Sequence, residues 1–315
     1  HGRHQSRGHV MNTQLPLTGH RGTSEPVLAI DIGGTSFRLA IIENGRIVQR
    51  IKRSTNQQGG AAWMIQQLQE SARELLSSAG GRVRACGIGF GGPVNFAEQK
   101  IVRSMHVHGW ENVDLHAILG EALGIRCVVD NDATAGALGE FHYGSGRESR
   151  HMVYYTISTG IGGGLVLNGI PYRGARNFAG EVGHVPVDRT GPERCSCGKY
   201  GCLEAYCSGP SIERRARRDL GARVSLSTGT APFSFTVAEI FEFADRSSEL
   251  AAFVDETVRI LGTSIAGVCN VLDPDCVVVG GGVSRAAGFV DRLRAEVHRQ
   301  LLHADSPPRI VQASL

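Results

Sequence analysis

The chain has 315 residues, room for about two domains, and its 41% hydrophobic and 20% charged content is that of a protein with a real buried core. Forty-two glycines with no G-X-Y period exclude collagen, and their clustering points to tight turns and close backbone approach. Only Lys52, Lys100 and Lys199 among 33 basic residues are lysines and none stands in a G-K-[ST] context, which excludes a Walker-type phosphate loop; a net charge of +3 is too small to argue for nucleic acid.

The first 27 residues are polar and lack the apolar core of a signal peptide. The stretch HGRHQSRGHV ahead of Met11 reads as an expression remnant or a disordered tail, so residues 1–26 are set aside as a leader. Val27 to Gly33 is an apolar, β-rich run, and Phe37 to Glu43 is a second. Asn44-Gly45 makes a hairpin turn into Arg46–Ser54. Ala61 to Ser78 has helical spacing, with Met64, Leu68, Leu75 and Leu76 on one broad face, and Gly80-Gly81 ends it. Val83 to Gly92 is a buried strand entering a glycine-rich loop, and Leu115 to Leu123 is a short helix. Ile125 to Val129 is another strand, with Asp130-Asn131-Asp132 at its carboxyl end and a helix from about Asp132 to His142.

A second round begins at His151: strand MVYYTIS, loop GIGGG, strand LVL and an Asn168-Gly169 turn. At an offset of 124 residues Thr159 falls on Thr35 and LVLNG on IIENG, a faint internal duplication. A helix over Leu250–Asn270 and a strand from Cys276 to Gly282 follow. Strands alternating with helices in two related halves indicate an α/β protein with two lobes, residues 27–133 and 134–315, and a cleft between them.

Four places carry chemistry. At Asp31-Ile32-Gly33-Gly34-Thr35 the glycines let backbone amides approach phosphate, and the carboxylate suits a hydrated Mg²⁺; a plain hairpin bend is the competing reading. Ser158 to Gly164 is its counterpart, and Gly280 to Gly282 is a third close-approach loop, able to border an adenosine or to be an ordinary turn. Asp132 is either a helix N-cap or a general base at a strand's carboxyl end. Glu181 and His184 precede Cys195, Cys197 and Cys202, then Glu204: a Cys₃His set suited to structural Zn²⁺, with Cys207 as a rival for Cys195. Clustered thiols without an export signal place the protein in a reducing cytoplasm. His106 and His108, and the ERRARRD helix from Glu213 to Asp219, read as surface features; Cys86, Cys127, Cys269 and Cys276 read as core.

Together, DIGGT at 31–35, GFGGPVN at 89–95, DNDATAGALGE at 130–140, STGIGGGLVLNG at 158–169, GEVGH at 180–184, CSCGKYGCLEA at 195–205 and VVVGGGVS at 277–284 resemble the ROK family of the actin-like ATPase fold, a duplicated ribonuclease H-like architecture. The resemblance implies an ATP-dependent hexose kinase, with Asp132 as the base for the sugar hydroxyl. Asn131, Glu181, His184 and Glu204 would bind the sugar, and His184 would also join Cys195, Cys197 and Cys202 on zinc. Asp31, Gly33, Gly34, Thr35, Thr159 and Gly160 would surround Mg²⁺ and the ATP phosphates, with Gly281 and Gly282 near adenosine. Glucose is the first expected acceptor and an amino-hexose such as N-acetylmannosamine or N-acetylglucosamine the second; a sugar-sensing regulator without turnover is the alternative of another class. The family's repressors carry a helix-turn-helix ahead of DIGGT, whereas about 30 residues without helical pattern precede it in this sequence, which disfavours nucleic acid as a partner. Its kinases usually continue past an RIVQASL-like strand into a final helix, while this sequence stops at Leu315, which bears on hinge stability and activity. A homodimer is the assembly the resemblance implies.

Overall fold

The computed structural model describes residues 25–104, 107–221, 224, 227–228, 231–232 and 234–315. The expected leader lies outside the described residues except for Glu25 and Pro26. No helix among the described residues is long and apolar enough to cross a membrane.

Strand β1 (Val27–Ile32) pairs antiparallel with β2 (Ser36–Glu43), which pairs antiparallel with β3 (Arg46–Ser54). Asn44 and Gly45 have φ of 52° and 73°, the two left-handed residues that a type I′ turn requires. Helix α1 (Gly60–Ser78) leads to β4 (Ala85–Phe90) and a two-residue hairpin, β5 (Val94–Asn95) with β6 (Lys100–Ile101). Helix α2 (Leu115–Leu123) leads to β7 (Arg126–Asn131). The sheet order is β3-β2-β1-β4-β7, with β1, β4 and β7 parallel. Alternate residues Leu28, Ile30, Phe37 and Leu39 face α1 and α2, where Met64, Leu68 and Leu75 are buried and Leu76 only partly so.

Helix α3 (Asp132–Tyr143) follows without a break. The second half then repeats the plan: β8 (Met152–Ile157), β9 (Ile161–Leu167) and β10 (Ile170–Pro171) are consecutive antiparallel strands. Next come α4 (Leu203–Cys207), α5 (Gly209–Leu220), the small hairpin β11 (Ser227–Thr228) and β12 (Ala231–Pro232), α6 (Val237–Glu242) and α7 (Ser248–Leu272). Strand β13 (Cys276–Gly280), α8 (Phe289–Gln300) and β14 (Arg309–Gln312) complete it. The order β10-β9-β8-β13-β14 copies that of the first sheet, and Asn168-Gly169 repeats the turn at φ 55° and 74°. The duplication is real but not uniform. Val27 pairs with Ile42 and Met152 with Val166, while Ile32 pairs with Phe37 and Ile157 with Ile161. The turn between the first two strands is therefore one residue shorter in the second half, and Thr159 is not a strict positional match for Thr35.

The halves meet through α3. It starts where β7 of the first sheet ends, yet Ala137 packs with Met152, Val166, Cys276 and Val278 of the second. Strand β9 accepts it because Gly162 and Gly164 have no side chains. The sequence reading made these glycines a phosphate loop; they lie within β9 instead. A Cβ on Gly162 would stand 3.1 Å from the Ala133 Cβ, and one on Gly164 only 2.4 Å from the Ala137 Cβ. On the other face a Cβ on Gly163 would stand 2.9 Å from the Gly180 carbonyl. Glycine inside a strand marks such close approach.

Gly164→Ala is expected to destabilise the fold by about 1–3 kcal/mol through overpacking. Gly87→Ala, where an added Cβ meets nothing within 4 Å, is expected to change stability by less than about 0.5 kcal/mol. Urea unfolding of the two variants checks the contrast.

Candidate active site

The carboxyl ends of β1, β4 and β7 lie side by side, and each delivers part of the site. Asn131 is the N-cap of α3: its Oδ1 accepts from the Thr134 amide at 3.0 Å, and its Nδ2 donates to the Gly92 carbonyl at 3.1 Å and Asp132 Oδ1 at 3.2 Å. The N-cap reading of Asp132 is thereby corrected. Asp132 is the first helical residue, and its Oδ1 accepts from the Ala133 amide at 2.8 Å. Its Oδ2 lies 3.6 Å from where a Gly91 Cβ would stand, so glycine at 91 keeps that oxygen clear.

The Asp132 side chain is exposed at the strand ends, while the protein around its carboxyl removes much of its water. That desolvation pushes its pKa up to about 6; the Ala133 amide restrains the rise, and the charges of Asp31 and Glu181 add to it. A carboxyl tuned to this range is a competent proton acceptor near neutral pH.

In the first glycine turn, Thr55 Oγ1 donates to the Gly33 carbonyl and Gln57 Nε2 to the Gly34 carbonyl, both at 3.0 Å, while the Thr55 amide donates to the Thr35 carbonyl at 3.0 Å. Sequence reasoning missed both fasteners; two polar side chains just past the β3 return were the available signal. Asp31 Oδ2 accepts from Arg38 at 2.9 Å, with both side chains about half exposed. Thr35 is exposed at the tip.

The second turn is tighter. The Ser158 amide donates to the Gly160 carbonyl at 2.9 Å, and the Gly209 amide to the Ser158 carbonyl at 2.8 Å. Thr159 is exposed. Gly281, at φ 87°, lies where a Cβ would be 2.3 Å from the Ile157 carbonyl, and one on Gly282 would be 3.9 Å from Ser158 Oγ. The structure thus brings Thr159, Gly160, Gly281 and Gly282 together and adds Gly209, which sequence reasoning did not find.

Gly180 and Gly183 seat the next segment flush on β9: a Cβ on Gly183 would be 2.1 Å from the Ile161 carbonyl. Burial raises the pKa of Glu181; His184 and Arg103 oppose the rise and Glu204 reinforces it. His184 Nε2 lies 3.7 Å from Glu181 Oε2, while Nδ1 lies 3.5 Å from Cys195 Sγ. Cys197 and Cys202 are 3.8 Å apart, and all four ligand atoms of His184, Cys195, Cys197 and Cys202 lie within 4.8 Å of one another. A tetrahedral zinc with its usual bond lengths sets S···S at about 3.8 Å and S···N at about 3.5 Å, so the quartet fits that ion. Cys207 is fully buried with its thiol toward the Thr257 carbonyl at 3.7 Å, which removes it as a rival ligand. Glu204 bridges this knuckle and the second turn: Oε2 accepts from the Ile161 amide at 3.0 Å and Oε1 from Ser196 Oγ at 2.7 Å. Gly160 has to be glycine there, since a Cβ would stand 2.7 Å from Glu204 Oε2.

His106 lies outside the described residues. His108 turns to the start of α1, with Nε2 3.2 Å from the Gln58 carbonyl and its ring against Gly60.

The family model of the ROK family matches residues 27–315. The chain belongs to the ROK family. It is 34% identical to a glucokinase of Thermotoga maritima over 266 residues, 82% of this chain and 83% of the relative. It is 31% identical to an N-acetylmannosamine kinase of Vibrio vulnificus over 277 residues, 88% of this chain and 89% of the relative. Among solved structures it is similar to a ROK glucokinase of Streptomyces griseus crystallised with glucose and AMPPNP, at 28% identity and a TM-score of 0.75, covering 91% of this chain and 93% of that one. The ROK membership and these likenesses make the two sheets the halves of an actin-like fold.

Carbon-13 NMR titration of the Asp132 carboxyl is expected to give a midpoint near 6, well above the ordinary carboxylate range. Asp31→Asn removes a neighbouring negative charge and is expected to lower the midpoint only part-way, because burial remains.

Proposed function

We propose that the protein is a sugar kinase that transfers the γ-phosphoryl group of ATP to a hexose hydroxyl, with glucose to glucose 6-phosphate as the first reaction. The observation that carries this is the place of Asp132: at the strand ends, beside the Asp31–Thr35 turn, with burial holding its pKa near 6. Glu181 and His184 supply acceptors and a donor for sugar hydroxyls, and Asn131 holds the cap that aims Asp132. Glu204 serves the sugar side through the edge its two hydrogen bonds leave accessible. Asp132 accepts the hydroxyl proton as the oxygen attacks phosphorus, and its main contribution is to aim that oxygen in line. Amides around Gly33, Gly34 and Gly160 and the hydroxyls of Thr35 and Thr159 cradle the phosphates, and Gly281 and Gly282 leave room for adenosine. Asp31 would hold the Mg²⁺ that accompanies the nucleotide, which would supply charge neutralisation.

The quartet of His184, Cys195, Cys197 and Cys202 would hold a structural Zn²⁺, closed to substrate. The Vibrio relative favours an amino-hexose as second acceptor. A sensor without turnover gains nothing from a carboxyl tuned to accept protons. The described cysteines are all free, which suits a cytoplasmic protein. Two lobes, 27–133 and 134–315, and a homodimeric assembly complete the proposal.

A coupled ADP-release assay over glucose, N-acetylmannosamine and N-acetylglucosamine is expected to show turnover, highest with glucose. Asp132→Asn is expected to cut kcat by about 10²–10⁴-fold with glucose binding retained; undiminished turnover would sink the assigned base. In the wild type kcat/KM is expected to fall as pH drops through about 6, since protonated Asp132 cannot accept the proton. Metal analysis is expected to find one zinc per chain, lost in Cys197→Ser; a metal-free protein overturns that assignment.

A further inference from the structure

Arg173 follows β10 in the second half, and Asp130 is the penultimate residue of β7 in the first. Arg173 Nη2 donates to Asp130 Oδ2 at 2.6 Å, and Nε reaches Oδ2 at 3.2 Å and Oδ1 at 3.3 Å. The side chains are only 19% and 11% exposed, so the pair is shielded where most of the molecule's ion pairs are wet. The guanidinium also lies over the Phe96 ring, 3.7 Å from its centroid. Phe96 is itself fastened to the β7 edge by Gln99, which accepts from the Val129 amide at 2.8 Å and donates to the Val129 carbonyl at 3.2 Å and the Phe96 carbonyl at 2.8 Å. The first half thus offers a rigid socket of one carboxylate and one ring, and the second half inserts one arginine.

Both ends of this contact lead to the active site. Asp130 Oδ1 accepts from the Asn131 amide at 2.9 Å, one residue before Asp132. The Tyr172 amide donates to Leu165 of β9 at 2.8 Å, and the Arg173 carbonyl accepts from the Ala179 amide at 3.1 Å, closing the loop that feeds directly into Gly180–His184. We infer that Arg173 is a positioning residue for phosphoryl transfer, its fork and stack on Asp130 and Phe96 setting the separation between Asp132 and the Glu181–His184 segment. Lysine cannot replace it fully, because an ammonium supplies neither a planar fork nor a stacking face. The inference rests on the kinase reading.

The test is steady-state kinetics of the full chain with glucose and ATP on Arg173→Met, Asp130→Asn, the double variant and Arg173→Lys. Arg173→Met is expected to lower kcat by about 10–100-fold, the loss that a misplacement of about 1 Å produces, with the KM for ATP within about twofold. Asp130→Asn is expected to give a similar loss, the double variant no greater loss than either single one, and Arg173→Lys an intermediate value. Losses that multiply in the double variant, or kcat unchanged while only the melting temperature falls, overturn the inference. If Arg173→Met does not fold, the Arg173→Lys and Asp130→Asn pair carries the same comparison. Turnover by the wild type with unaltered variants defeats this inference alone, whereas a wild type inactive on every hexose defeats the kinase reading with it.

Discussion

The site depends on one steric constraint: α3 packs on β9 with only the Ala133 and Ala137 methyls between them. The helix leaves the end of a first-sheet strand and must reach the second sheet at once, because Asp132 is both its first residue and the next in sequence after β7. Gly162 and Gly164 make that distance possible by leaving the α3 face of β9 bare, and Gly163 does the same on the opposite face for Gly180 and Val182. Helix α3, which carries Asp132, and the Gly180–His184 segment are therefore stacked on the two faces of one strand. Strand β9 thus fixes which face each occupies, while their spacing along it is left to other contacts.

Electrostatics then works on this fixed geometry. Asp31 and Glu181 lie near enough to Asp132 that each of their negative charges makes its anion harder to form. Arg38 draws Asp31 aside, and Arg103 opposes the same effect at Glu181. Lysine is absent from both turns proposed to receive the phosphates, so on that proposal phosphate recognition would fall to amides and hydroxyls. Amides held in tight turns are preorganised donors and need no long cationic side chain immobilised beside the carboxyls.

The local features of this chain were legible in the sequence. The two Asn-Gly hairpins, the repeated turn–strand–hairpin segment and the Cys₃His grouping all follow from short-range chemistry, and each reappears in the structure. What depends on contacts between distant segments was not legible. The triglycine of β9 looks like a loop until α3 and Gly180 are seen on either side of it. Asp132 looks like a cap because Asn131, which holds that post, is an equally good capping residue one position earlier. Arg173 and Asp130 are 43 residues apart, and no spacing rule joins them. The one-residue difference between the paired turns surfaces only in the strand register.

Glu204 shows why the knuckle sits where it does. A closed four-ligand set would have no coordination position for substrate, and a metal bound there would help order the segment. That segment contains Ser196, whose hydroxyl holds one oxygen of Glu204 while the Ile161 amide holds the other. Ile161 closes the second glycine turn, and a Cβ on Gly160 would stand 2.7 Å from the same carboxylate. Order imposed on the cysteines therefore passes through two hydrogen bonds into the turn proposed to receive the phosphates. Disorder in the knuckle would release Glu204 Oε1 first and loosen the turn second, with α3 still seated on β9. On the proposed reading, loss of the knuckle would therefore first reach the turn assigned to the phosphates.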